Sequence, residues 1–266
     1  MDILIGSRAL KYHLGKKLNR EPKDWDYFSN TRDSVSAFEI ENPMDKVEVF
    51  YDSRLEKYNW SSKENAIATL NELYTIKVSH VFWDLKHSNW KQHMNDIMLM
   101  KDNGACLIPE LYEILYSIWE DIHGKKKVNL SQEEEKFFST RVKRKYVHDT
   151  VHNSVSFYDK PMFNKILRDD SKVAVDKEKF DKLSFDDKKK LVYEEAFVIA
   201  LERKVFESEG MYWKSSYVWA LQKIIQDLSK GWFPLFIVDN FKEFKKAPFN
   251  YYELSMKNKD KLVEIV

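Results

Sequence analysis

Residues 2–8 read DILIGSR and residues 23–27 read KDWDY, and the reading of these two stretches decides the architecture of the first hundred residues. Ile3-Leu4-Ile5 is a short apolar run with strand character that stops at Gly6-Ser7, and a helix is expected over Ser7 to Leu18. A glycine at such a turn lets the backbone approach a ligand closely. A helix N-terminus attracts phosphate through its free N–H groups. If residues 24–27 form a strand, Asp24 and Asp26 point to one face while Trp25 and Tyr27 point to the other. Two carboxylates at that spacing can share a divalent cation that also meets triphosphate oxygens. A third strand is expected at Val47 to Tyr51. It sets Glu48 between Val47 and Val49, two valines expected to face the core, and offers a third acid, with Asp45 and Asp52 as neighbouring alternatives.

Outward from this region the pattern changes. The 266 residues suffice for one large domain or two modest ones. Short strands with intervening helices up to about residue 100 imply a mixed α/β unit. Asp102-Asn103-Gly104 reads as a stop and Pro109 as a helix start, so a boundary is expected at 104/105. Beyond it, apolar residues recur at helical spacing over 110–119, 132–155, 186–207 and 215–228. The fold class expected is therefore α+β: a small mixed sheet with flanking helices in 1–104, then a mostly helical domain in 105–266.

Composition bounds the function. Hydrophobic residues make up 43% and aromatics 15%, a folded composition. Forty-four Lys and Arg against forty-three Asp and Glu leave a formal charge of +1, so no global field selects a polyanion. The single cysteine, Cys106, allows no internal disulfide, and MDILIGSRAL lacks the charged and long apolar regions of a signal peptide. A reducing, cytoplasmic setting is expected. No apolar run approaches the ~20 residues that span a bilayer, so no membrane partner is expected.

The Gly6-Ser7 turn, the Lys23-Asp24-Trp25-Asp26-Tyr27 pair and Val47-Glu48-Val49 together resemble the hallmark of the nucleotidyltransferase fold superfamily. That hallmark is a Gly-Ser turn, a paired acidic motif on a neighbouring strand and a third acid on a later strand. Lys91 to Met100, with Asp96 ahead of an apolar stripe, is similar to the helix that closes such domains in small bacterial and phage-type members. The resemblance covers about the first 100 residues. It implies metal-assisted transfer of a nucleoside monophosphate from a nucleoside triphosphate to an acceptor that is a small molecule, an RNA or a protein. Asp24 and Asp26 would hold Mg2+, or Mn2+ in its place, and Glu48 would help activate the acceptor hydroxyl. Gly6 and Ser7, with Arg8 and Lys23 beside the two motifs, would contact the nucleotide.

Later residues add to this picture and also offer a rival to it. His80, Lys86 and His87 could neutralise charge on phosphate or a leaving pyrophosphate. Phe82, Trp83 and Trp90 could stack on a base. On a helix, His148 and His152 share a face at metal-binding spacing. With Asp149 they resemble the central motif of the HD phosphohydrolases, which also needs an earlier histidine (His87, His93 or His123) and a later aspartate (Asp169 or Asp170). A catalytically silent nucleotide-binding module is the third reading.

Overall fold

The computed structural model describes residues 2–29, 46–61, 66–83, 87–124, 177–189, 192–193, 196, 213–227 and 232–246. The chain divides into two compact units, 1–126 and 127–266.

In the first unit, β1 (Asp2–Ile5) runs directly into α1 (Gly6–Leu14), followed by β2 (Asp24–Ser29) and β3 (Lys46–Tyr51). Three helices follow: α2 (Leu70–His80), α3 (His87–Asp102) and α4 (Pro109–Trp119). The strands form one sheet in the order β1-β2-β3, with β1 antiparallel to β2 and β2 parallel to β3. On its other side β1 is bridged by residues 66–68: Leu4 N donates to Ala66 O at 2.7 Å, and Ala68 N donates to Leu4 O at 2.9 Å. The strand-to-helix junction has no connecting loop, which requires a left-handed residue there. Gly6 supplies it, at φ +66°.

The helices start where local chemistry dictates. Thr69 and Glu72 form a reciprocal capping box at the head of α2, and Pro109 occupies the first turn of α4. Glu72 is completely buried; it accepts from Thr69 N at 2.7 Å, Thr69 Oγ1 at 2.9 Å and Ser61 N at 2.9 Å. Four acceptor sites on a buried carboxylate are thus largely satisfied, as burial demands. Helix α2 packs against both α3 and α4, and α1 against β2. Leu111, Leu115 and Ile118 give α4 a fully buried stripe. Phe28, Phe50 and Trp119 form a chain of ring contacts at 5.3 Å.

The second unit contains α5 (Lys177–Asp181), α6 (Trp213–Asp227), α7 (Trp232–Asp239) and α8 (Phe241–Phe244). Tyr217, Leu221 and Ile224 line the buried face of α6 as their spacing predicts. Tyr217 Oη donates to Phe244 O at 2.6 Å, which ties α6 to α8. Phe180 is enclosed by Trp232, Phe233 and Phe236, at 4.9 to 5.7 Å between ring centres.

The expected α+β class holds. Three finer expectations change. The division between units falls at 126/127 and not at 104/105, because α4 buries its apolar stripe in the first unit. Among the described residues β3 is the edge strand, and Val47 is half-buried and Val49 exposed rather than both facing a core. Phe82, Trp83 and Trp90 are buried at 1%, 5% and 2% exposure, so they build the core and present no stacking surface.

Candidate functional site

The register of the sheet assembles the acidic residues. Asp26 lies opposite Ile5 of β1, the residue just before the Gly6 turn, and opposite Glu48 of β3. Asp24 lies opposite Lys46. Alternation along the strands then puts Asp24, Asp26, Lys46 and Glu48 on one face of the sheet. Trp25 and Tyr27 stack in near-parallel planes on the opposite face, 6.4 Å apart.

Asp26 is the centre of this group. Its carboxylate lies so close under the turn that a Cβ on Gly6 would stand 1.9 Å from Oδ2, which leaves glycine as the residue that fits. Burial pushes the Asp26 carboxyl up to about 6, and the negative charges of Asp24 and Glu48 push it the same way; Lys77 and Lys46 pull it back. The charges of Asp24 and Glu48 are thus felt at Asp26. Glu48 is largely exposed and accepts a hydrogen bond from the Lys46 ammonium. Asp52, the described alternative third acid, is held elsewhere. Its oxygens accept from Arg54 Nε at 2.9 Å and Nη2 at 2.8 Å, and this pairing lowers its pKa. Asp45 lies outside the described residues.

A second, cationic layer adjoins the turn. Ser7, 8% exposed, accepts from Arg20 Nη1 at 2.8 Å. Arg20 Nη2 donates to Asp96 Oδ2 at 2.7 Å, and Lys77 Nζ meets the same oxygen at 3.0 Å. Lys77 also donates to His93 Nδ1 at 3.3 Å. Burial, together with the nearby charges of Lys77, His80 and Arg20, drives the His93 pKa down to about 2, so its ring is a neutral acceptor. His80 is half-buried beside it, its ring 5.4 Å from His93 and 4.6 Å from Trp119.

The remaining predicted site residues scatter. Arg8 donates from Nε to the Asp24 carbonyl at 2.9 Å, and its guanidinium lies 4.0 Å over Trp25. It steadies β2 from the Trp25 side of the sheet. Lys23 is exposed just before β2. Lys86 and the alternative metal set His148, Asp149 and His152 lie outside the described residues, as does the side chain of His87. Arg20 and Lys77 belong to no motif. The one local hint is a lysine set between Ile76 and Val78 in an apolar helix, a position where an ammonium must find partners.

Asp24 and Asp26 suit magnesium, which binds through one or two carboxylates and completes its shell with water and substrate phosphates. The observation behind that fit is geometric: Asp24 and Asp26 share one face of β2 beside Glu48 of β3, and Asp26 Oδ2 lies under the Gly6 turn. Among the described residues, no three His, Cys, Asp or Glu side chains come close enough to hold a metal by themselves. The phosphates would have to complete the shell. No helix among the described residues is long and apolar enough to cross a membrane.

A family model described as Domain of unknown function (DUF7275) matches residues 72–261, and a second, Domain of unknown function (DUF7277), matches residues 2–101. Both matches include residues 72–101, the stretch that carries Lys77, His93 and Asp96. No curated protein and no solved structure matches the chain.

Proposed function

We propose that this chain, which belongs to the family described as Domain of unknown function (DUF7275), is a metal-dependent nucleotidyltransferase acting on a nucleoside triphosphate. The observation that carries the reading is the register that sets Asp26 beside the Gly6 turn on one strand and Glu48 on the other, with Asp24 two residues away. That arrangement agrees with the hallmark of the nucleotidyltransferase superfamily.

The chemistry follows from positions. Among the described residues, helix α1 begins at Gly6 with no capping side chain and no acidic residue in its first turn, so its N–H groups would receive phosphate oxygens, with the Ser7 hydroxyl, buried beside Arg20, as a further donor. Asp24 and Asp26 would hold Mg2+ or Mn2+, which would supply charge neutralisation at the triphosphate. Glu48, largely exposed and paired with Lys46, would take the proton of an incoming acceptor hydroxyl. The acceptor oxygen bonds to the α-phosphorus, the bond to the bridging oxygen breaks, and pyrophosphate leaves. The acceptor is a small molecule, an RNA or a protein, and the setting is cytoplasmic.

The test is release of pyrophosphate from each of the four NTPs with Mg2+ or Mn2+, for the wild type and for Asp24→Ala/Asp26→Ala. Release that the double substitution abolishes is expected. Release that survives it removes these residues from the site, and tight NTP binding without release in any acceptor screen identifies a silent binding module instead.

A further inference from the structure

We infer that Arg20, held by the buried carboxylate of Asp96, is a positioning residue that fixes the Ser7 hydroxyl as a hydrogen-bond donor toward a phosphate. The inference rests on the reading above that the Gly6-Ser7 turn receives the triphosphate. Its basis is an unbroken chain of contacts: Asp96 Oδ2 accepts from Arg20 Nη2 at 2.7 Å, and Ser7 Oγ accepts from Arg20 Nη1 at 2.8 Å.

A hydroxyl has one hydrogen and can also accept. The guanidinium has no acceptor, so in the Arg20–Ser7 contact Ser7 must be the acceptor, and its own hydrogen is directed elsewhere. Ser7 stands in the first turn of α1, next to the glycine that lies against Asp26. A donor there adds to the N–H groups of the helix start. Without Arg20 the hydroxyl can rotate and act as acceptor, which would repel a phosphate oxygen.

Asp96 gives the chain its rigidity. Its side chain is 4% exposed, and it also holds the Lys77 ammonium at 3.0 Å on the same oxygen. Arg20 lies in the stretch between α1 and β2, whereas Asp96 is on α3 and Lys77 on α2. Asp96 on α3 therefore fixes the rotamer of a residue in the connection between α1 and β2, and Lys77 on α2 holds that carboxylate in turn. Arginine suits this role because its rigid fork offers two parallel edges at once, which lysine does not.

The experiment is a double-substitution cycle on the full chain, read as the dissociation constant of Mg·ATP by titration calorimetry. The variants are Ser7→Ala, Arg20→Gln and the pair, with Asp24→Ala/Asp26→Ala as reference. Arg20 is partly exposed, so Arg20→Gln is suited to a folded comparison; Asp96→Asn is added as the buried counterpart, with thermal unfolding as its folding check. Each single change is expected to weaken binding roughly tenfold to a hundredfold, the range for a hydrogen bond to a charged group. The Ser7→Ala/Arg20→Gln pair is expected to be little worse than either single, because both break the same donor. Losses that multiply would show Arg20 acting independently of Ser7 and overturn the inference. So would Mg·ATP binding that needs Asp24 and Asp26 yet ignores Arg20→Gln. An absence of wild-type binding, or binding indifferent to Asp24→Ala/Asp26→Ala, removes the functional reading itself and the inference with it.

Discussion

Substituting Asp26 by Asn is predicted to stabilise the protein at neutral pH while removing its proposed function. The folded protein raises the Asp26 pKa from 3.8 to about 6, so it holds the protonated form in preference to the ionised one. A group shifted upward contributes stability that is complete below its unfolded pKa and is lost as pH rises through its folded pKa. For Asp26 the loss begins near pH 4 and is complete above about pH 7. Two pKa units at ~1.4 kcal/mol each would amount to about 3 kcal/mol. The side chain is only half-buried, and solvent screening reduces this to about 1–2 kcal/mol.

Asparagine keeps the shape of the side chain under the Gly6 turn and carries no charge at any pH. The assay is urea unfolding of wild type and Asp26→Asn at pH 4, 5, 6, 7 and 8. With a urea slope of roughly 2 kcal/mol/M, the variant's midpoint should exceed that of the wild type by about 0.5–1 M at pH 8, and the gap should close toward pH 4. Addition of Mg2+ at pH 8 should raise the wild-type midpoint and leave the variant unmoved, since a cation binding the native state stabilises only the chain that holds it. A difference that is constant across the pH series, or a variant less stable than wild type at pH 8, would refute the electrostatic account of Asp26.

Other outcomes follow from the same geometry. Gly6→Ala should lower both the unfolding midpoint and Mg·ATP affinity far more than Gly15→Ala, because both glycines have positive φ but only at Gly6 would the added Cβ collide, with Asp26 Oδ2; equal effects in the two variants would contradict the packing described. His93 is held neutral in the fold, so its contribution is present above pH 6.5 and is lost on acidification; His93→Leu should show a shallower fall in unfolding midpoint between pH 7 and pH 5 than wild type. Glu72→Ala strips the cap of α2 and takes the acceptor from the part-buried Ser61 and Thr69 donors, a loss of about 1–2 kcal/mol by urea unfolding.

What the sequence discloses follows the range of the interaction involved. The turn at Gly6 and the pairing of Asp24 with Asp26 are legible because alternation and a strand-to-helix junction are local properties of a few residues. Glu48 is legible for the same reason, but its exposure is not. Val47 and Val49 look like core valines until the sheet order, among the described residues, puts β3 at the edge. Residues 102–104 do end a helix, as their turn chemistry says, yet a stop signal cannot say which unit the next helix packs against. The stripe of Leu111, Leu115 and Ile118 decides that, and it meets α2. Arg20 and Lys77 are the extreme case. Arg20 lies 76 residues from its carboxylate, and no spacing rule links the two.

The same distance explains why the sheet alone would make a poor site. Asp24, Asp26 and Glu48 set like charges on one face, and burial first, then the charges of Asp24 and Glu48, raises the Asp26 pKa. Lys77 opposes it, but a lone buried ammonium would be expensive and free to turn toward the acids directly. Asp96 prevents this by holding Lys77 and Arg20 on one oxygen, so that two cations share one carboxylate and the layer keeps a net positive charge beside the acids. Removing the partner of such buried groups typically costs about 3–5 kcal/mol, so α2 and α3 do not merely cover the sheet. They hold Lys77 where its charge lowers the Asp26 pKa against the neighbouring acids.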